Sequence, residues 1–457
     1  MIEMTHMAPL DLIGLTPLDH LPAKLALPYI LYFDTPDTQA ALLSLQNGVG
    51  KLVSQLPWLT GDVVLHTPED LKTRLHIAAP QVPNAETRIL QVKEYDRDQD
   101  IQSTPLQSYL PVPTFIPASD QRPVLRFQAN VFPGKIVLAM CFWHNVFDGG
   151  GAGVILEALA ECITSTETPI TQSIASIHSG LRSAIGKYPS LCRTRLNHDA
   201  ALGPPLFDTN TSAEQWTQIE SAMASVVQTK RYAFSAEKVA KLKEACSMIL
   251  PDVTTESTWV SSNDIITAVL AISVDRVLHP ERANKQEVAD FLMAVDLRRK
   301  VQLPKTYVGN VIYPIHDDIY FRDGQAEQKE DADLFHLTQL AVRVRNTLAS
   351  MDDNLLYSAS ATVAECDDWT KLEGKPADII ITSWRGLKTY ALDFGPTIGH
   401  ITDFEPGFAL VPGGCIFLPE RIAEQGKAAP PWEVCITLKT GDDKALVADP
   451  LFSQILA

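Results

Sequence analysis

No stretch of the sequence is apolar and uninterrupted enough to cross a bilayer, and the N-terminus MIEMTHMAPLDLIGLTPLD lacks the basic-then-apolar order of a secretion signal. The seven cysteines form no CxxC pair and no framework spacing, which excludes a disulfide scaffold and points to reduced, mostly buried thiols. HExxH and GxSxG are both missing, so neither a zinc-protease helix nor a serine nucleophile elbow is available. Positive charge is scarce. Against 55 Asp and Glu stand 38 Lys and Arg, a net charge of −17 that excludes a broad surface for nucleic acid or anionic lipid. Internal repeats at short period and low-complexity tracts are absent as well. A soluble, cytoplasmic, globular protein is expected, and any anionic ligand must find a local basic patch.

What is present is enough apolar material for two cores: 46% hydrophobic residues over 457 positions, more than one core accommodates. LPYILYF, VLRFQANVF and KIVLAMCFW read as buried strands, the last two joined as a hairpin at Pro133-Gly134. TQAALLSLQNGVGKLVSQLP and VILEALAECI have helical spacing. Periodicity fades between about 194 and 230, which reads as an exposed crossover. A second unit follows, with RYAFSAEKVAKLKEACSMI as a strand and helix, NDIITAVLAISVDRVL and DLFHLTQLAVRVRNTLASM as helices, and DFLMAVDLR, ADIIITSW, GGCIFLP and WEVCITL as strands. The expected division is an N-terminal lobe over 1–195, a crossover over 196–230 and a C-terminal lobe over 231–457, each lobe mixed α/β.

The stretch CFWHNVFDGGGAG carries the chemistry. His144 stands where an apolar strand leaves its sheet, and its ordinary pKa of about 6.5 suits general-base work at neutral pH. Glycines 149 to 151 read as a flexible turn that allows positive φ and close approach of a ligand. Most histidines are hydrogen-bonded structural residues, so position alone does not select this one among eleven. Metal ligation by His144 and Asp148 needs a further ligand, and no other histidine is clustered with them. Cys141, on the apolar strand, reads as core and not as a nucleophile.

HNVFDG has the form HxxxDG and resembles the signature of the BAHD acyltransferases, particularly the fungal, trichothecene-acetyltransferase-like members that acetylate secondary metabolites. LTPLDHL, SQLPWLTGDV, SSNDIITAVL, AVDLRRK with TYVGN, and ITSW with LDFGPTIG are similar to further family segments in the same order. One departure stands out. The family's DFGWG reads Asp393-Phe394-Gly395-Pro396-Thr397 here, so its Trp is lost and the loop after it is altered.

The resemblance implies a chloramphenicol-acetyltransferase-like fold: α/β, two similar lobes of mixed sheet plus helices, with a tunnel between them. It implies a monomer that transfers an acyl group, acetyl first of all, from acyl-CoA as cosubstrate to a hydroxylated acceptor, with no permanent cofactor and no metal. His144 would be the general base, and Trp384, supported by Thr382, the oxyanion donor; Trp384 reads equally well as a half-buried aromatic. Asp148 would turn from the imidazole to Arg298 and brace the turn with Gly149, and Asp393 and Gly395 would be structural. Coenzyme A would meet Ser261 and Ser262, and more weakly Lys238 and Lys241, which also read as a solvated helix face. A condensation enzyme fed by a carrier protein shares the fold but has HHxxxDG, and Trp143 occupies the first of those positions. A non-acylating cyclase or binding protein on the same scaffold is the other alternative, kept open by the altered DFG loop.

Overall fold

Strand Lys135–Trp143 is buried along both faces after its first residue, the pattern of a central strand covered on two sides. In the computed structural model, which describes residues 12–79, 89–96, 101, 104–196, 202–204, 211–254, 259–284, 288–320, 331–407 and 411–457, it occupies the middle of a five-stranded sheet. The order across that sheet is Asp403–Pro406, Ala26–Asp34, Lys135–Trp143, Leu125–Phe132, Leu90–Glu94. All pairs are antiparallel except the last. Gly134, at φ 76°, closes the hairpin between Leu125–Phe132 and Lys135–Trp143, a conformation that favours glycine. Helix Thr38–Gln55 packs on helix Gly149–Thr164, and a Cβ at Gly48 would run into Ile163. Burying Leu42, Leu45, Val49 and Leu52 along that helix face contributes about 1.5–3 kcal/mol per side chain.

The second sheet has six strands in the order Ile312–Tyr320, Val288–Asp296, Ile379–Ser383, Gly414–Phe417, Trp432–Lys439, Val227–Phe234. Its two parallel pairs flank Ile379–Ser383. Helix Ser262–Leu278, buried from Asp264 through Asp275, lies between this sheet and helix Ala332–Ser350. Its all-round apolar character is that of a core helix.

The two halves exchange segments. Trp384, Tyr390, Phe394, Ile398, Ile401 and Phe404 belong to the core of the first sheet, whereas Leu18 and Leu21 belong to the core of the second. Arg231 and Arg421 both reach Asp403 at 2.8 Å and tie the exchanged strand back to the second sheet.

Two sequence readings change. Helix Ala213–Val226 lies inside the stretch read as an exposed crossover. Its apolar face is thin, but Ser212 and Gln215 form a capping box that starts it. The glycines after Asp148 are not a flexible turn either: Gly149 to Gly151 are the first turn of helix Gly149–Thr164, and none has positive φ. Their lack of a side chain lets other parts of the protein come close. A Cβ at Gly151 would run into the Val308 carbonyl, and one at Gly149 would lie 2.6 Å from the Trp384 indole nitrogen.

Candidate active site

His144 is the first residue beyond strand Lys135–Trp143, and its backbone N–H donates to the Leu25 carbonyl at 3.0 Å. The chain turns at once, Val146 N–H donating to the Trp143 carbonyl at 2.8 Å, which folds the imidazole back over its own loop. Nδ1 lies 3.0 Å from the Phe147 carbonyl. A carbonyl only accepts, so Nδ1 carries the proton and Nε2 keeps its lone pair. Nε2 makes no hydrogen bond among the described residues. Burial, the largest influence, holds the pKa below the ordinary 6.5; the Phe147 hydrogen bond and the charges of Asp148 and Glu373 oppose it. The ring is therefore neutral at neutral pH.

Asp148 is the N-cap of helix Gly149–Thr164 and faces away from that ring. Its Oδ1 accepts from Gly151 N–H at 2.8 Å and from Arg298 Nη2 at 2.8 Å, and its Oδ2 accepts from Val311 N–H at 3.1 Å. Arg298 also donates from Nη2 to the Gly309 carbonyl at 2.7 Å and from Nε to the Tyr307 carbonyl at 3.2 Å, and Nη1 lies 3.1 Å from Asp296. Burial works against this guanidinium's charge, yet Asp148 and then Asp296 hold its pKa above the ordinary value. The pair joins the turn of the first lobe to the 307–311 segment of the second.

Asn310 completes that joint. Its Nδ2 donates to the His144 carbonyl at 3.0 Å and to Asp19 Oδ1 at 3.1 Å, while Asp19 accepts from Arg182 at 2.6 Å. Tyr29 adds a second support, its hydroxyl donating to the Gly149 carbonyl at 2.8 Å. TYVGN and LTPLDHL are recognisable segments, but nothing in either indicates that Asn310 would hold both the His144 carbonyl and Asp19. The contact spans 166 residues and has no local pattern.

Trp384 follows strand Ile379–Ser383 and is 6% exposed, with its indole Nε1 against Gly149 and its ring edge-on to Tyr29 at 5.0 Å. Thr382 is half-buried on the face of that strand opposite Ile381, which belongs to the second core. The DFG segment forms a tight hairpin with Gly395 and Gly399 both at φ 82° and Gly395 N–H donating to Asp393 Oδ1 at 2.8 Å. Phe394 packs edge-on to Phe33 at 5.0 Å, so this loop is part of the first core.

The remaining residues are elsewhere. Ser261 caps helix Ser262–Leu278, its hydroxyl accepting from Asp264 N–H at 3.2 Å and from Arg345 Nη2 at 2.7 Å. Lys238 Nζ donates to the Leu456 carbonyl at 2.5 Å and Lys241 pairs with Glu237 at 2.7 Å. Both lysines line a surface cavity of about 440 Å³ that also holds Asp331 and Asp333, carboxylates that disfavour a phosphate there. Among the described residues no group of three or more His, Cys, Asp or Glu is placed to hold a metal ion, and no helix is long and apolar enough to cross a membrane.

Comparison with known proteins gives a consistent result. The profile of the Transferase family matches residues 79–441. Fumigaclavine B O-acetyltransferase of Aspergillus fumigatus is 31% identical, covering 96% of each chain. Communesin N16 acyltransferase of Penicillium expansum is 30% identical, again over 96% of each. Among solved structures, F. sporotrichioides TRI101 complexed with coenzyme A and T-2 superimposes with a TM-score of 0.75 at 20% identity, over 97% of this chain and 99% of that one. Vinorine synthase superimposes with a TM-score of 0.59 at 16% identity, over 99% and 96%.

Proposed function

The chain belongs to the Transferase family of BAHD-type acyltransferases, and on that premise we propose that it transfers an acyl group, acetyl first of all, from acyl-CoA to a hydroxyl of a fungal secondary metabolite. The observation that carries the reading is the state of His144: neutral, with Nδ1 committed to the Phe147 carbonyl and Nε2 open.

Nε2 takes the proton of the acceptor hydroxyl as its oxygen attacks the thioester carbonyl. That step forms the new C–O bond and places negative charge on the carbonyl oxygen. The Trp384 indole N–H, supported by the Thr382 hydroxyl, is assigned as the donor to this oxyanion, a contribution typically worth about 3–4 kcal/mol per donor. Collapse breaks the C–S bond, and the imidazolium returns its proton to the leaving thiolate. Asp148 takes no proton; through Arg298 it fixes the turn on which the imidazole is carried. Ser261 and Ser262, at the start of a 17-residue helix, are assigned to the coenzyme A phosphates; Lys238 and Lys241, beside Asp331 and Asp333, are not assigned to them. We assign the enzyme to the cytoplasm, a reading supported by seven free cysteines, and read it as a monomer.

Labelled acetyl-CoA offered with a panel of hydroxylated metabolites tests the reading. A folded His144→Ala protein should lose about 10²–10⁴-fold in transfer. Retention of most of the activity removes the base assignment.

A further inference from the structure

Five cationic Lys or Arg side chains are buried among the described residues: Lys24, Arg122, Arg126, Arg182 and Arg298. Four have a carboxylate within reach, Lys24 with Glu373 at 3.0 Å, Arg126 with Asp62 at 3.5 Å, Arg182 with Asp19 at 2.6 Å and Arg298 with Asp148 at 2.8 Å. Arg122, 4% exposed, has none. Its guanidinium makes a single hydrogen bond, Nε to the Ile116 carbonyl at 3.2 Å, and Nη2 is buried without an acceptor. It lies over the Trp143 ring in a cation–π contact, 5.3 Å from the ring centre, and the Trp143 Nε1 is likewise buried without an acceptor.

Other buried polar atoms among the described residues also lack a hydrogen-bond partner, Arg298 Nη1 and Trp369 Nε1 among them, but here two such donors, Arg122 Nη2 and Trp143 Nε1, lie on residues in contact with each other. Leaving a charged donor so is unfavourable by more than leaving a neutral one. Burial, the dominant effect, lowers the Arg122 pKa to about 10, and the only carboxylate acting against this is Asp120, on the surface. The guanidinium is still charged at neutral pH. Its position is next to the chemistry: Val124, two residues on, accepts from the Trp143 backbone at 3.1 Å, and Trp143 directly precedes His144. Lys24, which senses the Arg122 charge, pairs with Glu373, which in turn acts on His144.

We propose that Arg122 and the Trp143 indole N–H form a receptor for a substrate carboxylate, carried either by the acceptor or by the far end of a dicarboxylic acyl chain. A planar guanidinium fork with one further N–H beside it matches the two oxygens of a carboxylate. This rests on the acyl-transfer reading above, so the tests separate the two.

The first test needs no substrate. In the ligand-free protein Arg122→Met removes a buried charge that has no carboxylate partner, so the melting temperature should stay the same or rise by on the order of 1–4 °C. A clear fall would mean that Arg122 serves the fold, and would overturn the proposal. The second is calorimetric binding, which does not depend on turnover. One arm compares succinyl-CoA with acetyl-CoA, and the other compares hydroxy acids with their methyl esters. In one arm the wild type should favour the acid by 10-fold or more. Arg122→Met should remove that preference, a loss on the order of 10²-fold in affinity for the acid, while Arg122→Lys keeps part of it and Trp143→Phe weakens it. The arm that shows the effect names the source of the carboxylate. No preference for acid in either arm, or one that survives in Arg122→Met, would mean that only buried water meets these donors and would end the proposal.

Discussion

Replacing Asp148 by Asn keeps the shape of the side chain and removes one charge, and the structure indicates what that costs. Oδ1 serves two donors, Gly151 N–H and Arg298 Nη2, and Oδ2 serves a third, Val311 N–H. With the amide oxygen toward the first two, the amide nitrogen confronts Val311 N–H; flipped, it strands the other two. Either way at least one buried backbone N–H loses its acceptor, at about 1–3 kcal/mol. The guanidinium also loses its closest counter-charge, keeping only Asp296, whose side chain is 52% exposed. Together these reach the roughly 3–5 kcal/mol typical of breaking one side of a buried pair. Arg298→Met strands a carboxylate that still has the Gly151 and Val311 N–H groups, so its cost lies toward the lower end. The double variant leaves no uncompensated charge, and should fall short of the sum of the singles by about 0.5–3 kcal/mol. Urea unfolding of the four proteins, followed by tryptophan fluorescence, reads this as midpoint shifts at unchanged slope. Additive losses within error would refute the bracing role. So would an Asp148→Asn protein that unfolds like the wild type and is merely slow, since that is the behaviour of a carboxylate that orients the imidazole.

Further expectations follow from the same contacts. Trp384→Phe keeps the packing on Tyr29 and Phe404 but removes the indole donor, so kcat should fall roughly 10- to 1000-fold with KM for acyl-CoA little changed; unchanged kcat with a lower melting temperature makes Trp384 a packing residue. Because burial depresses the His144 pKa and catalysis needs the neutral ring, kcat/KM should hold down to a pH below 6.5 before its acid limb sets in, and an inflection above 6.5 contradicts the assignment. His20, donating from Nδ1 to the Thr16 carbonyl and accepting from Leu75 N–H at Nε2, is held neutral with a pKa lowered from 6.5 to about 4, chiefly by burial. The unfolded chain takes up that proton first, so this contribution is complete above pH 6.5 and is lost as pH falls to about 4, by about 3 kcal/mol. His20→Gln should flatten the wild-type decline between pH 7 and 4.5, and parallel curves for the two proteins would refute it.

The central strands and long helices are legible in the sequence because their apolar spacing is dense: Lys135–Trp143 and Ser262–Leu278 leave little room for another reading. The helix begun by Asp148 does carry a local signal. An aspartate just before a helical apolar pattern is an N-cap, and the three glycines invited the reading of a loose turn instead. Ser212 and Gln215 likewise marked a helix start inside a stretch whose apolar residues were too few to show it. The links that assemble the site had no local signature at all. Lys24 with Glu373, Tyr29 with Gly149 and Asn310 with His144 are 349, 120 and 166 residues apart, and spacing rules do not reach that far.

The strand Asp403–Pro406 that closes the first sheet has a consequence for synthesis of the chain. It covers Tyr29 through Tyr32, which would otherwise be an open edge, and it arrives some 370 residues later. At about 5–20 residues per second, that edge and the apolar surface later covered by Phe394, Ile398 and Phe404 wait roughly 20–75 s on the ribosome. Expressed alone, the first half would expose that edge and that apolar surface, and aggregation is the expected outcome. Chimaeras that swap lobes between relatives should carry 384–406 with the N-terminal partner, because those residues belong to its core whatever their place in the gene.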